Sequence, residues 1–90
     1  METSYVVYIL TCADGTLYTG VTTDIVRRLK EHNESDKGAK YTKTRRPVLL
    51  GYTEVCASRS AAQKREYIVR NLSRAEKISL ISSERNVKPL

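Results

Sequence analysis

A chain of 90 residues has material for one small domain, which leaves roughly a third or more of its unfolded surface exposed after folding. Apolar residues make up 40% and charged residues 29%. That balance is too apolar for a disordered chain, and the longest apolar run, Tyr5 to Leu10, is far short of the ~20 residues a membrane span needs. Sixteen Lys and Arg against ten Asp and Glu give a net charge of +6, which points to a polyanionic partner, most commonly nucleic acid.

Tyr5-Val6-Val7-Tyr8-Ile9-Leu10-Thr11 is dense in β-branched and aromatic residues and reads as a strand buried on both faces. Asp14-Gly15 supplies a tight turn. Residues 16–22 alternate apolar and polar as a second strand, so the two form a hairpin. Thr22, Thr23 and Asp24 offer capping oxygens for a helix running to about Asn33. Ile25, Val26 and Leu29 form its apolar stripe, with Arg28 and His32 four apart on one flank.

From Glu34 to Arg46 the chain is polar and basic. It reads as a loop with one short helical turn around Tyr41. Pro47, lacking an N–H, suits the start of a third strand over 48–55. Ser60 with Gln63 and Ser73 with Glu76 have capping-box spacing, which predicts helices over about 60–72 and 73–83. Along the first of these, Ala61, Ile68, Val69 and Leu72 form the apolar stripe, with Glu66 on its shoulder. Residues 84–90 read as a flexible tail after a single domain over 1–83. The element order β-β-α-β-α-α predicts an α/β (α+β) domain with a small three-stranded antiparallel sheet flanked by helices.

Cys12 and Cys56 form no CxxC and His32 has no cysteine near it, so a structural zinc site is excluded. No basic-then-apolar segment follows Met1, so no secretory signal is visible and a cytoplasmic location is expected. A disulfide is not expected in that reducing compartment.

All six aromatic residues are tyrosines. Tyr8 is on the first strand and Tyr18 on its hairpin partner, followed by Gly20, where a missing side chain lets another group approach the sheet. The next helix brings Arg28 and His32. Two phenols, a guanidinium and an imidazole thus converge from adjacent elements.

This arrangement resembles the GIY-YIG nuclease family. The first motif stands here as Val6-Val7-Tyr8 and the second as Tyr18-Thr19-Gly20. The family's arginine falls on Arg28, its histidine or tyrosine on His32, and its metal-binding glutamate on Glu66 within Ala61-Ala62-Gln63-Lys64-Arg65-Glu66. Gly38-Ala39-Lys40-Tyr41-Thr42, Arg45-Arg46-Pro47-Val48 and Ser73-Arg74-Ala75-Glu76-Lys77 are similar to landmarks of the small stand-alone bacterial members. The likeness runs from about Tyr5 to Ile81. Two valines replace the glycine and isoleucine of the first motif, and Thr19 the isoleucine of the second; no catalytic side chain is lost.

The resemblance implies a metal-dependent endonuclease acting on DNA, with RNA as a further possible substrate. In it Tyr8 would activate water and Tyr18 would position or relay, or the reverse. Arg28 would pair the scissile phosphate through its planar fork, and His32 would bond the phosphate or orient a tyrosine. Glu66 would anchor one Mg²⁺ or Mn²⁺ ion. Arg28, the metal and the basic surface are expected to lower the pKa of Tyr8 from its usual ≈10. Arg27, Lys37, Lys40, Tyr41, Lys43, Arg45 and Arg46 form a basic surface suited to the nucleic-acid backbone, which gives affinity without reading sequence. Selection would therefore be by shape, such as branched or single-stranded DNA. The alternative is a non-catalytic nucleic-acid-binding module on the same scaffold.

Overall fold

The structure, a computed structural model, describes residues 4–87. The Asp14-Gly15 turn works as its residues dictate. Gly15 adopts φ +86°, where a Cβ would be strained. Asp14 Oδ1 accepts from the amide and hydroxyl of Thr16 at 3.1 and 2.6 Å. Thr16 therefore belongs to the turn, and the hairpin joins β1 (Tyr5–Thr11) to β2 (Leu17–Thr22). The third strand, β3 (Leu49–Cys56), pairs antiparallel on the other side of β1, giving the order β2-β1-β3. It begins after Val48 because that residue's backbone is taken by Asn33, whose amide group accepts from Val48 N at 2.7 Å and donates to Val48 O at 3.0 Å.

As the central strand, β1 is covered on both faces, and Val7, Tyr8, Ile9 and Leu10 are all buried. Strand alternation sorts them into two cores. Val7 and Ile9 pack with Ala62, Val69 and Ile81. Tyr8 and Leu10 pack with Cys12 and Val48, and against Tyr18, Ile25 and Leu29.

The helix α1 (Ile25–Glu34) is capped by Asp24, which accepts from Arg27 N at 3.1 Å. Its buried line is Ile25, Leu29 and His32, and Val26 is 78% exposed. His32 is thus the third member of the stripe rather than a flanking residue. The short α2 (Lys40–Lys43) supplies the helical turn expected at Tyr41.

On the other face, α3 (Arg59–Arg70) starts earlier than expected. Its cap is Ser58, which accepts from Ala61 N at 3.1 Å, so Ser60 lies inside the first turn. The buried line follows Ala62 and Val69, and Ala61 and Ile68 face outward. Ser73 and Glu76 form the predicted capping box, Ser73 N donating to Glu76 Oε1 at 2.9 Å and Glu76 N to Ser73 Oγ at 3.1 Å. The helix they open, α4 (Arg74–Val87), runs past the expected end at Ser83. The expected tail thus begins within this helix, and its residues 88–90 lie outside the described residues. Among the described residues no helix is long and apolar enough to cross a membrane.

Candidate active site

The site begins where Tyr8 meets Gly20. The two are direct partners in the β1–β2 register, and a Cβ on Gly20 would stand 2.5 Å from the Tyr8 hydroxyl. The glycine's missing side chain is the space the phenol fills. Tyr18, two residues earlier on the same face, lies with its ring centroid 6.4 Å from that of Tyr8.

His32 closes on the phenol from α1. Its Nε2 is 2.8 Å from Tyr8 Oη, and both side chains are buried. The other ring nitrogen, Nδ1, accepts from the Ala39 amide at 3.3 Å and lies 3.0 Å from Thr42 Oγ1. Burial, reinforced by the nearby Arg28 charge, pulls the imidazole down to about 4, so the ring is neutral at physiological pH. The neutral ring is bonded to Tyr8 and fully enclosed, with no exposed face for a phosphate.

Arg28 approaches the same phenol. One of its nitrogens is held by Glu31 Oε1 and by the Lys37 carbonyl, both at 2.8 Å, and the guanidinium lies near enough to the Tyr8 hydroxyl to act on its ionisation. Arg28 does lower the Tyr8 pKa, as expected, but burial outweighs it and pushes the phenol up to about 12. The expectation of a lowered value is therefore overturned: desolvation of a phenolate costs more here than one nearby cation returns. Tyr18 completes the cluster, 5.3 Å edge-on to His32 and stacked at 5.9 Å on Tyr41.

A model of the GIY-YIG catalytic domain matches residues 4–79 of this sequence. The chain belongs to the GIY-YIG family. Among its relatives, the UPF0213 protein DP2720 of Desulfotalea psychrophila is 56% identical over 80 residues, covering 89% of this chain and 73% of the relative. The UPF0213 protein VNG_2274C of Halobacterium salinarum is 55% identical over 74 residues, covering 82% and 95%. Two solution NMR structures share the fold. That of the UPF0213 protein BH0048 from Bacillus halodurans has a TM-score of 0.56 at 49% identity, covering 88% of this chain and 83% of that one. That of EF2693 from E. faecalis has a TM-score of 0.64 at 39% identity, covering 100% and 97%. Membership implies a nuclease fold family and a nucleic-acid substrate; the relatives' names state no activity.

Within this GIY-YIG domain the structure joins Tyr8, Tyr18, Arg28 and His32, but it does not join Glu66 to them by contact. Glu66 sits on α3, which covers the Val7/Ile9 face. On that helix Arg65 reaches Glu54 of β3 at 2.8 Å, while Arg59 and Gln63 line a cleft with Val21, Thr22 and Thr23 at the β2 edge. Glu66 follows Arg59 and Gln63 along one helical row, so it lies on the β2 side. The tyrosines and the helix that carries the carboxylate thus lie on opposite faces of the sheet. The Glu66 side chain is only 15% exposed and ion-paired with Arg70, which is 59% exposed.

No group of three His, Cys, Asp or Glu able to hold a metal occurs among the described residues. The donor set nevertheless fits a hard, water-rich cation. Mg²⁺ commonly binds through one or two carboxylates plus waters and substrate phosphates, and Glu66 is a largely buried carboxylate whose partner is an exposed arginine.

The basic loop divides into an outer and an inner side. Lys37, Lys40 and Lys43 are exposed, as is Arg27, which lies 3.6 Å from Glu31. Arg45 and Arg46, in contrast, are occupied. Arg45 bonds Asp14 at 3.0 Å and covers the Tyr41 ring at 3.9 Å. Arg46 Nε donates to His32 O at 2.6 Å, and its Nη2 donates to Ser35 O at 2.6 Å. These are terminal carbonyls of α1, so Arg46 caps the helix that carries the site. Gly38 permits the close fit, since a Cβ there would stand 2.7 Å from Glu31 O and 2.9 Å from His32 Cα. Sequence reasoning missed this inner side, Gly38, Ala39 and Thr42 included. The one local signal was the glycine in the middle of the polar loop.

Proposed function

We propose that the protein is a divalent-metal-dependent endonuclease hydrolysing phosphodiester bonds in DNA, selecting its substrates by shape rather than sequence. One observation carries this reading: His32 Nε2 lies 2.8 Å from a buried phenol oxygen that is lodged against Gly20 and faces the Arg28 charge. Phosphodiester hydrolysis needs an activated water, stabilisation of charge on the phosphate and help for the leaving oxygen. Tyr8 is the general base. Its phenolate is costly to form in a buried place, and the Arg28 charge is what favours it. Tyr18 positions the water or relays its proton. The part of the Arg28 guanidinium not held by Glu31 and Lys37 pairs the phosphate oxygens.

Glu66 would hold one Mg²⁺ or Mn²⁺ ion, which when bound supplies positive charge to offset that building on the phosphate and the leaving oxygen. Lys37, Lys40, Lys43 and Arg27 grip the backbone, a mode of contact that carries no base information. Branched or single-stranded DNA, the material of repair and recombination, suits such a reader. Two free cysteines, Cys12 buried and Cys56 half-buried, suit a reducing cytoplasm.

The test is purified protein with branched and linear DNA and either metal, beside Tyr8→Phe and Glu66→Ala variants. Cleavage by the wild type and loss in both variants is the expected outcome; cleavage surviving equally in both would sink the assignment. The second reading, a binding module without turnover, draws on the Arg70 contact that occupies Glu66. It predicts salt-sensitive DNA binding with no metal-dependent product.

A further inference from the structure

One hydroxyl in the sheet is buried without a partner. Thr19 is 5% exposed, and among the described residues no group hydrogen-bonds its Oγ1. It stands opposite Ile9 in the β1–β2 register, so its side chain shares the face that α3 covers. Desolvating a hydroxyl and leaving it unpaired is unfavourable, and such a group calls for a partner absent from the resting protein.

The contacts of α3 show what lies above it. Near its start, Arg59 and Gln63 line the cleft with Val21, Thr22 and Thr23. Just past its end, Arg74 Nη1 donates to Gly15 O at 2.9 Å, and Arg74 and Lys77 flank Thr16 and Leu17. The helix therefore runs back along β2, from that strand's last residues toward its first. Gln63 to Glu66 advances about 4.5 Å along the helix, and Val21 to Thr19 is about 7 Å in the same direction along the strand. Across the helix, Ala62 and Val69 are buried against Val7 and Ile9, and Arg65 leans to β3 through Glu54. Glu66, between Ala62 and Val69 in the chain, flanks their line on the β2 side, above the neighbour of Ile9. That neighbour is Thr19.

We infer that Thr19 is a positioning residue for Glu66: its hydroxyl is a donor kept for the carboxylate once an ion takes the place of Arg70, and it holds that carboxylate in the orientation of a ligand. This rests on the reading of Glu66 as the metal ligand. A hydrogen bond to a ligating carboxylate tunes metal affinity by about 10–100-fold.

The test is a Mn²⁺ titration without DNA, read by water-proton relaxation, with thermal unfolding of each ion-free protein alongside. Wild type is expected to bind Mn²⁺ and Glu66→Gln to lose it. Thr19→Val, of nearly the same shape, is expected to weaken Mn²⁺ by about 10–100-fold, while the ion-free protein melts no lower than wild type because an unpaired hydroxyl has gone. Thr19→Ser is expected to restore the affinity. A hydroxyl that served the fold alone would give the reverse, a lower melting temperature in the valine variant with Mn²⁺ affinity intact, and that result would overturn the inference. Unchanged affinity in Thr19→Val beside a defective Glu66→Gln would overturn it too and leave the metal reading standing. Equal Mn²⁺ binding by wild type and Glu66→Gln removes the metal reading, and the inference with it.

Discussion

The two faces of β1 carry neighbouring residues of one strand and do different work. Val7 and Ile9 pack with Ala62 and Val69 of α3 and Ile81 of α4. Tyr8, one residue from each, is buried as deeply but meets His32, Arg28 and, through His32, Thr42. Burying apolar surface stabilises without conditions. Buried phenol, imidazole and hydroxyl groups stabilise only while every partner is in place, and each orphaned member costs about 1–3 kcal/mol. The network packs beside the core of one face, and the proposed chemistry is drawn from that face.

The comparison breaks most sharply with Tyr8→Phe. The cleavage rate should fall by about 10²–10⁴-fold, the usual range for a lost acid–base group, with a stability cost of about 1–3 kcal/mol for the buried His32 nitrogen left unpaired. Ile9→Ala should do the opposite. Stability should drop by about 2–5 kcal/mol in denaturant titrations, while the rate per folded molecule holds. Acid should separate the faces next. The imidazole of His32 lies near 4 in the folded protein, below its ordinary 6.5. The unfolded chain therefore binds the proton first, and this contribution is present above pH 6.5 and lost as pH falls toward 4. An NMR titration of the ring with a midpoint near 6.5 would show that His32 is not enclosed.

Arg46→Ala should cost about 1–3 kcal/mol of stability, because it strips hydrogen bonds from the α1 carbonyls, while barely altering the salt dependence of DNA binding. Lys43→Ala should give the smallest effect and the reverse pattern. Stability should hold, and the slope of log affinity against log salt should fall by about 0.9 for one lost contact to duplex DNA. Equal salt slopes for the two variants would erase the distinction between the inner and outer sides of the loop.

The elements were legible because their signals are local. Asp14-Gly15 makes a turn by its own conformational preference, and Ser73 with Glu76 satisfy each other across one helical turn. The first strand announced its double burial by having no polar alternation. Where two signals competed, position was lost: Ser58 and Ser60 can both cap a helix, and spacing alone chose the wrong one. The stripe of α3 was likewise drawn through Ala61 and Ile68 where the buried line follows Ala62 and Val69, and Glu66, expected on its shoulder, has a side chain only 15% exposed. On α1 the stripe was drawn through Val26 because a histidine is not expected to complete an apolar line; the Tyr8 oxygen is what makes His32 fit there.

Residue order alone determined the architecture, the hairpin that sets Tyr8 opposite Gly20, and the family, because propensities, caps and motif spacings act within a few residues along the chain. Tertiary structure decided which cations are free and which are spent. It turned Arg46 into a helix cap and Lys43 outward, though three residues separate them. It also set the ionisation of Tyr8 and His32, since desolvation depends on every neighbour brought in from elsewhere in the chain, and no spacing between residues encodes that sum.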